Sequence, residues 1–158
     1  MRGRGGDVSG TADEMRISIR VHAHLKYTDL FHTVLAQVAK DLAIAPDRMD
    51  WVALSLREAV NNAVLHGSKN DPKRWIEVEM EVTGHALILR IWDEGQGFPE
   101  AVLRDPRKSE NLLKPNGRGI FLIRQFVDKV EFDRDHKGRF GIVMTVNLAS
   151  GENKEEIR

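Results

Sequence analysis

Glu58, Asn62 and His66 fall four residues apart, with Ser55 three residues before them. On a helix that spacing puts all four on one stripe, with Glu58 and Asn62 roughly 6 Å apart along the axis. A carboxylate so placed can take a proton from a hydroxyl or a water. An amide oxygen one turn on is a hard, neutral ligand that suits Mg²⁺, which binds a few protein oxygens together with waters and substrate phosphates. The pair Asn61-Asn62 also lowers helix propensity in mid-element, because Asn side chains compete for backbone hydrogen bonds. A solvated helix face is the commoner explanation of such a stripe when it stands alone, so the rest of the chain decides.

Two glycine boxes follow. Asp93-Glu94-Gly95-Gln96-Gly97-Phe98 comes directly after the apolar run Leu87 to Trp92. A carboxylate at a strand end can accept a hydrogen bond from an exocyclic amino group such as adenine's, and glycines let backbone approach a ligand where a Cβ would clash. Asn116-Gly117-Arg118-Gly119-Ile120 ends a stretch without periodicity and opens an apolar helical pattern. Backbone N–H groups at such a helix start form an anion site fit for phosphates. An ordinary turn and a hinge are the plain alternatives for the two boxes. Neither is a dinucleotide fingerprint or a P-loop, since the chain has no Gly-x-Gly-x-x-Gly opening a crossover and no Gly-Lys-Ser/Thr.

The elements that must hold these residues are legible from periodicity. Strict alternation over Met15 to Leu25 predicts a half-buried strand; its other face carries His22 and His24, read as exposed strand histidines rather than a metal pair. Tyr27 to Ala43 reads as a helix that buries Leu30, Val34, Leu35, Val38 and Leu42, with Thr28 or Asp29 at its N-cap and Pro46 breaking it. Asp47 is the expected cap of a central helix over about residues 48–66, whose apolar face is Val52, Leu56, Ala59 or Val60, and Ala63. Gly67 stops it. Trp75 to Val82 and Ala86 to Trp92 predict an antiparallel hairpin turning at Thr83-Gly84-His85. Residues 93–117 hold three prolines and a basic cluster (Arg104, Arg107, Lys108, Lys114), with one helical turn expected at Ala101 to Leu103; connections this long are functional or disordered. Gly119 to Asp128 predicts a third helix burying Ile120, Ile123, Phe126 and Val127. Lys129 to Asp133 and Arg139 to Leu148 predict a last hairpin.

At 158 residues and 41% hydrophobic content, one domain with a real core is expected. Residues 1–13 read as a disordered leader, 14–149 as the domain and 150–158 as a charged tail. With 24 basic and 24 acidic residues, no net field recruits nucleic acid or an anionic membrane. The absence of cysteine excludes disulfides and thiolate metal sites and fits a reducing compartment. No run reaches membrane-span length, and no apolar stretch follows the basic N-terminus as in a signal peptide, so a cytoplasmic protein is expected.

An acid–amide helix, a strand ending in Asp-x-Gly-x-Gly, a basic loop and a Gly-x-Gly helix start thus occur in one order. That order resembles the Bergerat-type ATP-binding fold of gyrase B, histidine kinases, MutL and a class of heat-shock chaperones, the GHKL group. Glu58-Ala-Val-Asn-Asn62-Ala-Val-Leu-His66-Gly67 is similar to the N-box of the anti-sigma-factor serine/threonine kinases, and Asp93 to Phe98 and Gly117 to Arg124 are similar to their two glycine boxes. The resemblance spans about residues 15–148. It implies an α+β fold: a two-layer α/β sandwich with a mixed, mostly antiparallel β-sheet covered on one face by about three helices.

The resemblance also implies roles. Asn62 would hold Mg²⁺, Glu58 would be the general base, and Asp93 would bind adenine. Gly95 and Gly97 would line the base pocket, Gly117 and Gly119 would meet the phosphates, and His66 would belong to the nucleotide site. Residues of about 99–116 would be the ATP lid. Sporulation-type members of the group it resembles place an arginine two residues before the first glycine of the last box; here Pro115 stands there, and Lys114 and Arg118 beside it are the candidate cations. The implied function is an ATP- and Mg²⁺-dependent kinase that phosphorylates a STAS-type anti-sigma-factor antagonist and sequesters a sigma factor, as a homodimer joined through the strand Met15 to Leu25 and the first helix. The alternative is an ATP-binding regulatory module without phosphotransfer. A detached histidine-kinase domain fits less well, because that reading expects a helix pair carrying a phosphoacceptor histidine before Tyr27.

Overall fold

A computed structural model describes residues 14–42, 44–97 and 115–148, the first four residues of the last segment by backbone alone. The leader, the charged tail, Lys114 and nearly all of the expected lid, including the turn at Ala101 to Leu103, lie outside the described residues.

Five strands form one sheet in the order β1-β2-β3-β5-β4, with β1 Met15–His22, β2 Trp75–Val82, β3 Ala86–Asp93, β4 Lys129–Arg134 and β5 Phe140–Asn147. Among the described residues three helices complete the sandwich: α1 Thr28–Asp41, α2 Pro46–Asn62 and α3 Pro115–Phe126. The α+β sandwich expected from the sequence is therefore the fold, and every described strand pair is antiparallel, without the mixed pairing the expectation allowed.

Period-two patterning decides the sheet. In β2, Ile76, Val78, Met80 and Val82 are buried while Glu77, Glu79 and Glu81 are half-exposed. Leu87, Leu89 and Ile91 of β3 and Ile142, Met144 and Val146 of β5 continue the same inner face. Each fully buried aliphatic chain of this kind contributes about 1.5–3 kcal/mol. The outer face is held by ion pairs such as Arg16–Glu79 at 3.2 Å and Arg139–Glu77 at 2.7 Å. The last hairpin turns where Asp135 Oδ1 accepts from the Lys137 and Arg139 amides and Gly138 takes φ +76°.

The helix α2 packs against both α1 and α3 and buries Val52, Leu56, Ala59 and Val60. It begins at Pro46, so that proline opens α2 and does not break α1, which has already ended at Asp41. The first helical position tolerates Pro because its missing N–H has no partner there anyway. The N-cap is Ala45 without a side-chain bond, and Asp47 sits in the first turn instead of capping, where its charge complements the helix dipole.

In α1 the inward face is Phe31, Leu35, Val38 and Ala39. The expected Leu30 is 43% exposed, because the helix turns one position further toward Phe31. Its N-cap is Tyr27, not Thr28 or Asp29, with no side-chain cap bond. The first strand ends at His22, and residues Leu25–Tyr27 form a 3₁₀ turn. His22 and His24 are exposed as expected.

Candidate functional site

The site starts at the C-terminal half of α2. The α-helical ladder ends at Asn62 and widens into a π-type turn over Ala63–Gly67, closed by Ser68 N–H donating to the Ala63 carbonyl at 2.7 Å. Such turns recur at functional sites. Lys69 and Asn70 then take φ of 53° and 54°, a left-handed conformation that costs a non-glycine residue free energy. These backbone features lead the chain from α2 to the C-terminal end of β3, beside Asp93.

A cavity of about 340 Å³ opens there, within the range of small-molecule sites. Asn62, His66, Gly67 and Lys69 line one side; Ile91, Asp93, Gly97, Phe140 and Ile142 line the other. Asn62 is 7% exposed, and its Nδ2 has no hydrogen-bond partner among the described residues. An unpaired buried amide N–H₂ costs free energy until it finds an acceptor.

Asp93 is 6% exposed. Its Oδ1 accepts from Gly95 N–H at 2.6 Å. Burial pushes its carboxyl up to about 6 from 3.8, against the opposing pull of the Gly95 hydrogen bond and the Arg74 and Arg134 charges. A strand-end carboxylate buried in a cavity and short of donors is suited to accept from a ligand amino group.

Gly119 packs against the outer turn of α2 that carries Glu58 and Asn62. A methyl group on its Cα would lie 2.9 Å from Glu58 Oε2 and 3.4 Å from Asn62 Nδ2. The glycine lets α3 cross α2 closely over the acid–amide pair without turning the Glu58 carboxylate aside. The helix α3 starts at Pro115, four residues before the expected start, so Asn116, Gly117 and Arg118 lie inside its first turn. There their N–H groups lack intrahelical partners.

The fold thus brings together Glu58, Asn62, His66, Asp93, Gly97 and Gly119. Gly95 supports Asp93 from beneath. Gly117 and Arg118 are placed by backbone alone, and Lys114 lies outside the described residues.

Residues 21–146 match the family model of the histidine kinase-like ATPase domain. The chain belongs to that family. The ATPase domain is 29% identical over 123 residues to an anti-sigma F factor of Anoxybacillus flavithermus, covering 71% of this chain and 82% of that protein. It is 30% identical over 102 residues to the anti-sigma F factor of Geobacillus stearothermophilus, covering 62% and 68%. It is 26% identical over 149 residues to a serine-protein kinase RsbW of Staphylococcus aureus, covering 90% of each.

Sequence reasoning does not single out every residue around the cavity. Gly67 reads only as a helix stop, yet a Cβ on it would collide with the Asp93 carboxyl group. Phe140 packs under Gly97, whose φ is +83° and whose added methyl would sit 2.5 Å from the ring. Arg74 donates to the Gly67 carbonyl at 3.3 Å. The signal available for Gly67 is its place in the N-box-like run; Phe140 and Arg74 leave none, since they reach the site only through sheet register and a loop.

Gly67→Ala is expected to displace Asp93, weakening ATP binding more than tenfold and destabilising the fold by about 1–3 kcal/mol, as overpacking does. Thermal melts and ATP titration of the variant check this; wild-type values in both would show that the wall gives way freely.

No His/Cys/Asp/Glu cluster among the described residues can hold a metal ion by itself. The donor set instead fits Mg²⁺ carried in with nucleotide phosphates. Such ions take one or two protein oxygens plus phosphates and water, and the side-chain oxygen of Asn62, a residue of the cavity wall, is a ligand of that kind.

Proposed function

We propose that this chain is an ATP-dependent serine/threonine protein kinase of the anti-sigma type. It phosphorylates a small antagonist protein and alternately sequesters a sigma factor. The carrying observation is a cavity lined by both Asn62 and Asp93, with Glu58 one helical turn from Asn62 and both packed beneath Gly119. The names of the relatives, anti-sigma F factor and serine-protein kinase, support the same reading.

In this reading Asp93 accepts the adenine amino group, and Gly95 and Gly97 let backbone approach the base. The free N–H groups of the first turn of α3 at Gly117, with Gly119 packed on α2, meet the phosphates. Asn62 would hold magnesium, which screens phosphate charge when bound. The acceptor hydroxyl oxygen forms a bond to the γ-phosphorus, the bond from that phosphorus to the leaving ADP oxygen breaks, and the hydroxyl proton passes to the Glu58 carboxylate. Positioning and charge stabilisation supply most of the acceleration in such transfers.

We place the partners by the same reading: a STAS-type antagonist, a sigma factor and a second copy of the chain. The strand β1 is an edge of the described sheet, and Leu25 and Leu30 nearby are 40% and 43% exposed, which supports a homodimer surface there. No described helix is long and apolar enough to cross a membrane; a cytoplasmic location fits this reading.

A second reading is favoured by Pro115, which offers no cation at the place where relatives resembling this chain carry an arginine. There the chain binds ATP and its partners without transferring phosphate. Incubation with γ-labelled ATP, magnesium and a STAS-type antagonist is expected to label a serine or threonine of the antagonist. ATP binding without any label transfer would decide for the second reading, and absence of ATP binding would end both.

A further inference from the structure

The edge strand β4 carries an arginine where its pattern calls for an inward residue. Val130 and Phe132 alternate with Glu131 and Asp133, so the next residue on the helix side of the sheet is Arg134. Register then aligns it with the nucleotide site. Arg134 pairs with Phe140, and Phe140 pairs with Asp93. Three side chains of one cross-strand row thus share a face, with Arg134 two strands, or about 10 Å, from Asp93.

The guanidinium makes three contacts there. It donates to the Gln96 carbonyl at 2.7 Å and to the Gly138 carbonyl at 3.0 Å. It also lies 5.7 Å from the centre of the Phe140 ring, within cation–π range. Gln96 stands between the two glycines of the first box, and Phe140 is the ring against which Gly97 packs. A forked guanidinium can bridge two carbonyls in fixed geometry, which an ammonium cannot.

We propose that Arg134 is a positioning residue for the nucleotide base: it clamps the loop of the first glycine box to the last hairpin and so sets where Asp93 and Gly97 meet the ligand. The inference rests on the reading of this cavity as an adenine-nucleotide site. The arginine touches loop backbone and a cavity wall, not the phosphates, so its effect falls on the base end. Its charge also favours the ionised form of Asp93, together with Arg74. Among the described residues the basic groups lining the cavity itself are His66 and Lys69; beside Asp93, Glu94 turns away to accept from Trp75 N–H at 2.9 Å.

The test compares wild type, Arg134→Gln and Arg134→Lys by calorimetric titration with adenosine and with Mg-ATP between pH 5 and 8, with a thermal melt of each. Arg134→Gln is expected to weaken both ligands alike by about tenfold, the scale of one lost charged hydrogen bond. It should also move the pH below which affinity falls to a higher value. Arg134→Lys should keep the wild-type pH dependence, because it keeps the charge, and recover only part of the affinity, because it loses the fork. Should Arg134→Gln not fold, the lysine variant alone carries the test through its unchanged pH dependence and reduced affinity. Affinities within about twofold of wild type, a loss confined to Mg-ATP, or a loss with no shift in pH dependence for Arg134→Gln would each overturn the proposal. Wild-type protein that bound neither ligand would instead sink the nucleotide reading of the cavity.

Discussion

Replacing Glu58 by alanine is expected to slow phosphotransfer to the antagonist by about 10²–10⁴-fold, the range lost with a general base, while Mg-ATP affinity stays within about twofold of wild type. The split follows from where the carboxylate lies. Glu58 Oε2 faces the backbone of Gly119 one helical turn from Asn62, and it is absent from the cavity wall that Asp93 and Asn62 share. It is therefore placed for the acceptor hydroxyl more than for holding nucleotide. Glu58→Gln keeps the volume beneath Gly119 and removes only the proton acceptor, so it should lose as much as the alanine variant. Single-turnover transfer with saturating ATP reads this directly. A glutamine variant that transferred at the wild-type rate would remove Glu58 from the role of base.

Asp93→Asn is expected to move stability and binding in opposite directions. The rise of the Asp93 pKa from 3.8 to about 6 means that the folded protein resists ionising this group, by about 3 kcal/mol at most. The sign follows from linkage. Below pH 4 the group is protonated in both folded and unfolded chains, and its stabilising contribution is fully present. That contribution is lost as pH rises through about 6. The amide in Asp93→Asn never ionises, so urea unfolding of the ligand-free variant should match wild type at pH 4 and exceed it by about 1–3 kcal/mol at pH 8.

The same variant should bind ATP about 10- to 100-fold more weakly at pH 8, because a charged acceptor for the base amino group is gone. In wild type the ionised carboxylate is the form a donor favours, so ATP affinity should fall as pH drops below about 6, and this fall should vanish in Asp93→Asn. Equal stability of the two proteins at both pH values would mean that Asp93 is not strained by burial.

Much of this can be read along the chain. The alternation Ile76, Val78, Met80, Val82 marks a strand by itself, because a strand's two faces see different solvents. The stripe Val52, Leu56, Ala59 marks α2 for the same reason at helical period. Other features cannot be read this way. Periodicity places the start of α3 four residues late because Pro115 and two glycines look like loop, although the first turn of a helix accepts proline. It places the inward face of α1 one position off because both Leu30 and Phe31 fit an apolar stripe, and only the packing of α1 against α2 chooses between them.

From the sequence alone came the order of elements, the helical spacing of Glu58, Asn62 and His66, and the strand-end carboxylate at Asp93, since each depends on neighbours within one or two turns. Tertiary structure alone decided that Gly67 must be small beside Asp93, that Gly119 lies over the acid–amide pair, and that Arg134 shares a row with Phe140 and Asp93. Those are distances between residues far apart in the chain. They are set by sheet register and helix crossing, and so is the burial that lifts the Asp93 pKa.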